Sequence, residues 1–478
     1  MAHQITVAAH HHKRNALPHH VKNGTPPNFH VFSLSSMSPP KLRQLDTIER
    51  YHATRVYLEL DTCIAASARY TTADDTVLTK EILFPALRVV IERHAALGIC
   101  YDRRPDSKGI AFRRLSTLDL SRIVEFSDRD LQTAMEGQLS RGWTWDEEDM
   151  LPLWRVEVLP GNIVLLAMHH GVGDGLSTRE FHYSLFRALQ GASLPAYSTS
   201  VAVPELTLLP GIFHLTSARP SLWETLTMFW NAILPDPWNK PYSTWTGKPY
   251  PSTTSPVKPY VRLLSFTPAE SDNFTKLCRS HNTTITAALY ELAVTTFTQL
   301  ITALPDAARY KIVFIYVANA FHELLGGESE ICNYVESIPC TPRLHADFSW
   351  TGAAQASAEF RREKARGPSH LGLINWVAGD FAGFMKGELG KKRRSTLMLS
   401  NLGRSDVPAV EGKWSVDRIF FAQADSVAGA VMTMNVAGDG PKGGLNITFT
   451  WGEESVEMKF VEEFVSVFEK AVRSMSAE

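Results

Sequence analysis

Hydrophobic positions along this chain switch between continuous apolar runs and stripes spaced by three and four, and the switching recurs in both halves. In the first half, helices are predicted over 45–65 and 80–97; Leu83, Leu87, Val90, Ile91 and Leu97 give the second an apolar stripe. Strands are predicted over 109–114 and 153–168, the latter a hairpin turning at Pro160, Gly161 and Asn162. Its second arm, Ile163 to Met168, is short, uniformly apolar and bounded by turn residues, as a buried strand is. After it come His169, His170, Gly171, Val172, Gly173, Asp174 and Gly175, and then a stretch to Leu189 in which Phe181, Leu185 and Leu189 recur at helical spacing. From Pro204 to Pro259 prolines recur every few residues, which argues for a connecting segment. The alternation then restarts, with strand 260–266, helices 268–281 and 284–303, and an apolar strand from Lys311 to Val317. Helices 350–366 and 370–385, strands 395–400, 418–423, 429–436 and 444–451, and a last helix 458–474 complete the pattern. Strands interspersed with helices in both halves predict an α/β (α+β) chain of two related lobes.

Composition narrows the choices. With 478 residues the chain can bury a large core, and 48 Lys plus Arg against 50 Asp plus Glu leave no strongly basic face for a nucleic acid. The five cysteines lack Cys-x-x-Cys spacing, which points away from a disulfide scaffold or a zinc site and toward a reducing, cytoplasmic setting. Six histidines (His3, His10, His11, His12, His19, His20) stand where a secretory signal would carry its apolar core, so 1–38 is expected to be a disordered tail. The aromatic, amphipathic stretch 222–234 is expected to pack against the body or line a substrate passage, with weak peripheral membrane contact as its other use. Lys391, Lys392, Arg393 and Arg394 are expected in a solvated loop; contact with coenzyme A phosphates is the alternative.

The motif after Met168 carries the chemistry. Adjacent residues at a strand end point to opposite faces, so one imidazole can face a cavity while the other packs into the wall. An imidazole can take a proton from a hydroxyl or amine and return it to a leaving group. Asp174 precedes a helix and suits an N-cap, and Ser177 with Glu180 forms a second capping pattern.

The order His-His, three residues, Asp-Gly after an apolar strand resembles the signature of the chloramphenicol acetyltransferase superfamily, which includes condensation domains, plant-type BAHD acyltransferases and fungal alcohol acetyltransferases. Arg43 to Tyr51 looks like the opening of the last branch, Leu399-Ser400-Asn401-Leu402-Gly403 like its Ser-Asn-Leu-Gly segment, and Gly444 to Phe449 like its late strand. The likeness spans about 40–475. It implies a pseudo-dimer of two lobes around a central tunnel: an N-terminal lobe over 39–203, a Pro-rich crossover over 204–259 and a C-terminal lobe over 260–478. It also implies that His170 is the general base and that Asp174 braces the catalytic loop, commonly held by an arginine of the other lobe. His169, Gly175, Ser400 and Asn401 are then expected around the substrates, the last two either near the oxyanion or, equally, as a strand-end turn, since Asn-Leu-Gly suits a change of direction. Two departures stand out: Ala318 to Phe321 replaces the arginine segment, with Arg394 a candidate substitute, and Cys332 stands where a glycine is expected.

Rival motifs fail on spacing. The third glycine of G-x-G-x-x-G falls on Leu176, His170 and Asp174 lack a third metal ligand, and Gly-x-Ser-x-Gly is absent. The expected activity is an acyl-coenzyme A-dependent O-acyltransferase acting on a small alcohol or amine, as a monomer with no bound cofactor or metal and acyl-coenzyme A as co-substrate. A carrier-protein thioester as donor, or a binding member of the fold that has lost the chemistry, stay open at this point.

Overall fold

A computed structural model of the chain describes residues 41–477, apart from 146–149, 192, 217, 224, 227–229, 231–242, 255, 406–411, 425–426 and 441–442. The histidine-rich 1–38 tail lies outside the described residues, as does most of 227–234.

Two sheets carry the architecture. A five-stranded sheet runs Trp414–Gln423, Ile64–Thr72, Ile163–Met168, Trp154–Leu159, Val124–Phe126 from edge to edge. A six-stranded sheet runs Pro259–Phe266, Leu445–Gly452, Met432–Gly438, Leu397–Arg404, Ile315–Ala320, Val335–Cys340. The hairpin of the first sheet is antiparallel, Leu159 facing Ile163, and its loop turns through positive φ at Gly161 (75°) and Asn162 (59°). Helix Gly175–Leu189 follows the second arm; Phe181, Leu185 and Leu189 are buried, and it packs beside helix Lys80–Arg93, whose predicted stripe is buried in the same core. The six-stranded sheet is covered by helices Pro268–Ser280, Ile285–Thr302 and Met458–Ala477, around a core built from Phe297, Phe449, Phe464 and Phe468.

One strand is not where chain order places it. Trp414–Gln423 follows the fourth strand of the later sheet in chain order, yet it pairs antiparallel with Ile64–Thr72 of the earlier one. Side chains of the later sheet hold it from the other side: Gln423 Nε2 donates to Asn435 Oδ1 at 2.7 Å, and Asn446 Nδ2 to the Ile419 carbonyl at 3.0 Å. The two lobes thus share a strand, and Leu402, Phe421 and Ala437 enter the core of the first.

Several predicted elements are redrawn. The 45–65 helix ends at Tyr57, because Leu58 caps it and Glu59 turns to φ 57°; residues 58–63 form a turn and connection into the strand Ile64–Thr72. The 370–385 helix is a 3-10 stretch His370–Trp376 and a short helix Phe381–Lys386, the second begun by the Asp380 carboxylate accepting from Gly383 N–H at 2.8 Å. Of the 222–234 stretch, the described residues Leu222, Trp223, Leu226 and Trp230 are exposed and so do not pack on the body as expected, whereas Pro220 just before them is seated against Gly372. Arg393 is not in a solvated loop: it is 2% exposed and donates to the Lys248, Val427 and Gly429 carbonyls. Among the described residues no helix is long and apolar enough to cross a membrane.

Candidate active site

The apolar strand delivers the two motif histidines to different surroundings. His169 is fully buried, with its ring edge-on to Tyr101 and Trp145 and tilted against Trp143. Its Nδ1 accepts from Gly171 N–H at 2.9 Å, which places the remaining proton of the neutral ring on Nε2. Burial, reinforced by the neighbouring His170, pushes its pKa down to about 3. His169 therefore has its basic nitrogen occupied by the main chain and its Nε2 sealed from solvent without a hydrogen-bond partner, and serves as wall.

His170 faces the other way and is only partly buried. Its carbonyl accepts from Asn333 Nδ2 at 2.6 Å, a clamp reaching across from the C-terminal half. Its ring lies parallel to that of His52, with centroids 3.9 Å apart and planes 15° apart. Nδ1 is sealed from solvent and makes no hydrogen bond, leaving Nε2 as the nitrogen a substrate can meet. Burial lowers the His170 pKa; the Asp61 carboxylate, its own main chain (close to the ring but outside hydrogen-bond geometry) and Asp174 oppose the shift without cancelling it. Asp61 is held by Arg55 at 3.4 Å. The result is an imidazole that is neutral near pH 7 and ready to accept a proton.

Asp174 is the N-cap of the motif helix and almost wholly buried. It accepts from Ser177 N–H at 3.1 Å and from Tyr334 N–H at 3.0 Å, while Ser177 Oγ receives the Asp174 N–H in return. The reciprocal cap uses Ser177 alone; Glu180 instead accepts from Ser184 and Arg187. The brace expected from an arginine is an imidazole: His322 Nε2 lies 2.8 Å from Asp174 Oδ2 and 3.0 Å from Oδ1. Arg394 is not the substitute, since it pairs with Glu388 at 2.5 Å. Burial works against charge on both partners of the brace, but their mutual attraction wins: Asp174 is held below, and His322 above, the ordinary value. Nδ1 of His322 is fixed by the Gly327 carbonyl at 3.0 Å, so the ring presents Nε2 to the carboxylate.

Cys332 occupies the place of the expected glycine without breaking this geometry. Its N–H donates to Ser177 Oγ at 3.1 Å, its carbonyl accepts from the same hydroxyl at 2.6 Å, and its thiol packs 3.8 Å from the His322 ring. Residues 332–334 thus touch the motif at Ser177, His170 and Asp174 in succession.

Gly175 stands where the lobes meet: a Cβ there would come 2.5 Å from Leu402 and 3.0 Å from Phe421, too close for any side chain. The position serves close approach and offers no side chain to a substrate. Leu402 is further tied by its carbonyl to Arg179 of the motif helix at 2.8 Å, which brings the Leu399–Gly403 segment against the site. Within that segment Ser400 is buried, and Asn401 uses its amide on Thr286 at 2.9 Å and its carbonyl oxygen on Gly403 N–H at 2.8 Å. That is the turn geometry Asn-Leu-Gly suits. Among the described residues no group of three or more His, Cys, Asp or Glu side chains is arranged to hold a metal ion.

Sequence reasoning passed over His52, His322 and Asn333. Only His322 had a signal available, two residues beyond the strand on which an arginine was sought; the other two become visible when the helix and the loop meet in space.

Comparison with known proteins agrees with this arrangement. The family model described as "Alcohol acetyltransferase" matches residues 44–317 and 377–472. A probable alcohol acetyltransferase FCK4 of Fusarium pseudograminearum is 24% identical over 391 residues, 75% of this chain and 79% of that protein. A probable alcohol acetyltransferase crmB of Aspergillus fumigatus is 24% identical over 417 residues, 82% of this chain and 87% of its own length. Among solved structures, the TRI3 trichothecene 15-O-acetyltransferase of Fusarium sporotrichioides superposes with a TM-score of 0.66 at 12% identity, covering 92% of this chain and 100% of that one. The condensation domain of the Monacolin K polyketide synthase MokA superposes at 0.59 and 13% identity, covering 92% and 98%. At such identities the superpositions establish the shared fold.

Proposed function

The chain belongs to the alcohol acetyltransferase family, and from that premise we propose that it transfers an acyl group, acetyl in the first instance, from acyl-coenzyme A to a hydroxyl of a small metabolite with His170 as general base. It is an acyltransferase that takes an acyl donor and an alcohol acceptor. The observation that supports the base assignment is the contrast between the motif rings: Nδ1 of His169 is consumed by Gly171 N–H, whereas His170 is neutral, clamped at its carbonyl and left with Nε2.

In this reading the acceptor hydroxyl gives its proton to His170 Nε2 as its oxygen adds to the thioester carbonyl carbon. The tetrahedral intermediate collapses with cleavage of the C–S bond. The imidazolium returns the proton to the leaving sulfur, yielding an ester and a free thiol. General base action contributes on the order of 100- to 10,000-fold, and positioning of two substrates supplies much of the rest. Coenzyme A is a co-substrate here, and no resident cofactor takes part.

Calorimetry with acetyl-coenzyme A and mass spectrometry of reactions with mixed alcohols test the proposal. Wild type and His170→Ala are expected to bind the donor alike, while only wild type gives a new ester, the variant losing roughly 100- to 10,000-fold in rate. Absence of binding by both would remove coenzyme A as donor and favour a carrier-protein thioester. Full turnover by His170→Ala would remove the base assignment.

A further inference from the structure

The face of the six-stranded sheet turned away from its helices is only partly covered. Along Ile315–Ala320, Ile315 and Val317 enter the core of the second lobe, whereas Tyr316, Ala318 and Ala320 point the other way and stay half-buried. Tyr316 pairs in register with Met398, and Ala318 with Ser337, whose hydroxyl lies 3.9 Å from the Met398 sulfur. Met398 precedes Leu402 on the same strand, so Tyr316 stands roughly 13 Å along the sheet from where Leu402 meets Gly175 of the motif loop. Facing Tyr316 are Tyr51 of helix Thr47–Tyr57, Tyr250 and Arg394, and the Phe314 ring centre is 4.9 Å from its own. The next residue of that helix, His52, lies against His170, so one helix links Tyr316 to the base.

The polar groups around Tyr316 are satisfied within the protein. Tyr250 Oη accepts from Arg394 N–H at 3.1 Å, Arg394 and Lys391 pair with Glu388 at 2.5 and 3.3 Å, and Arg393 is held by main-chain carbonyls. Tyr316 differs: its hydroxyl makes no hydrogen bond to any described residue. Desolvation pushes the phenol pKa up to about 12, so the hydroxyl keeps its proton and can donate. A tyrosine enclosed in a protein ordinarily finds a partner for its O–H, and here that partner is left to whatever enters the space.

We propose that Tyr316 is a specificity-determining residue for the acceptor: its hydroxyl donates to a second oxygen of the alcohol, remote from the one acylated, so that the preferred acceptor carries two oxygens on an extended apolar skeleton. The inference rests on the acyl transfer at His170 proposed above. The acceptor is favoured over the donor because Arg394 and Lys391, the exposed cations beside this space, are already neutralised by Glu388, whereas coenzyme A phosphates call for free ones. Phe314 and Met398 supply apolar lining, and a single hydroxyl then sets orientation.

Tyr316→Phe removes the hydroxyl and keeps the ring. Initial rates with acetyl-coenzyme A would be compared for straight-chain monoalcohols and the matching terminal diols, butanediol to decanediol, with melting curves of both proteins alongside. Wild type is expected to favour one length of diol over its monoalcohol by roughly five- to tenfold in kcat/KM, the gain lying in KM. Tyr316→Phe should lose that preference while holding kcat/KM for monoalcohols and KM for acetyl-coenzyme A within about twofold, and should melt no lower than wild type, since no bond inside the protein is broken. An unchanged diol preference in the variant would overturn the proposal, as would a wild type that takes both series alike or neither. A raised KM for acetyl-coenzyme A would overturn it by placing the hydroxyl on the donor, and a lowered melting temperature by making it part of the fold. His170→Ala, run beside them, separates the two readings: its loss of rate upholds the base even where the Tyr316 comparison fails, and full turnover by it removes the base whatever Tyr316 does.

Discussion

At the scale of single residues, the site assigns different tasks to chemically identical side chains by environment alone. His169 and His170 share a sequence motif and a strand end, yet one is fixed by a main-chain N–H inside an aromatic wall and the other is left with Nε2 for substrate. The sequence supported this division, because alternation along a strand puts neighbours on opposite faces. It did not support the identity of the brace, because an ion pair between residues 174 and 322 depends on how a late loop closes over an early helix. The brace also has a readable pH signature. The contribution of Asp174 is present above its unfolded pKa and lost as pH falls through its depressed folded value; that of His322 is present below its unfolded pKa and lost as pH rises through its raised folded value. The ion pair is therefore complete between about pH 4 and pH 6.5 and weakens toward alkaline pH. His322→Gln is expected to cost about 3 kcal/mol at pH 6, since it leaves Asp174 buried with one partner fewer. Melting curves at pH 6 and pH 9 check it: wild type should lose more stability between them than the variant. Equal losses in the two proteins would mean that the pair is not charged.

At the scale of elements, the motif helix shows how local chemistry and distant packing meet in one position. Asp174 begins the helix as the sequence indicates, and the apolar spacing of Phe181, Leu185 and Leu189 sets the buried face. Gly175, its first residue, is small for a reason the sequence does not carry: Leu402 and Phe421 arrive there from more than two hundred residues later. Gly175→Val is accordingly expected to destabilise by about 1–3 kcal/mol through overpacking and to cut turnover by displacing Asp174 and with it the His170 loop. Thermal melting and initial rates together check it; a variant with unchanged melting and rate would show that the contact yields freely. The elements that pattern reading missed share a weak signal. Ile64–Thr72 is buried on both faces but built around Ala65, Ala66, Ser67 and Ala68, which read as neither an apolar run nor an alternation. Val335–Cys340 is a sheet edge with Pro339 and exposed or half-buried alternate positions, tolerated there because an edge strand need not donate on both sides.

At the scale of the whole molecule, the two lobes legible in the alternation of strands and helices are not independent bodies, because strand Trp414–Gln423 is encoded in one and paired in the other. Chain order alone could not reveal this, since 418–423 read as one more strand of the later half. The crossing strand is held at both ends: Trp414 N–H donates to Gln190 Oε1 at the end of the motif helix at 3.0 Å, and Thr450 Oγ1 of the six-stranded sheet donates to the Gln423 carbonyl at 2.7 Å. Between them Phe421 is buried in the first lobe's core beside Gly175. Loosening this strand should therefore weaken both sheets and the site between them together. Phe421→Ala is expected to cost about 3–5 kcal/mol, as for other buried aromatic truncations, and to lower one unfolding transition without splitting it. Calorimetry reads the outcome directly. A second, lower transition carrying only part of the enthalpy would mean that the lobes unfold separately, and the shared strand would then be a tether whose loss the catalytic loop could survive. A single lowered transition, with turnover falling before it, would tie the position of His170 to the pairing of the two lobes.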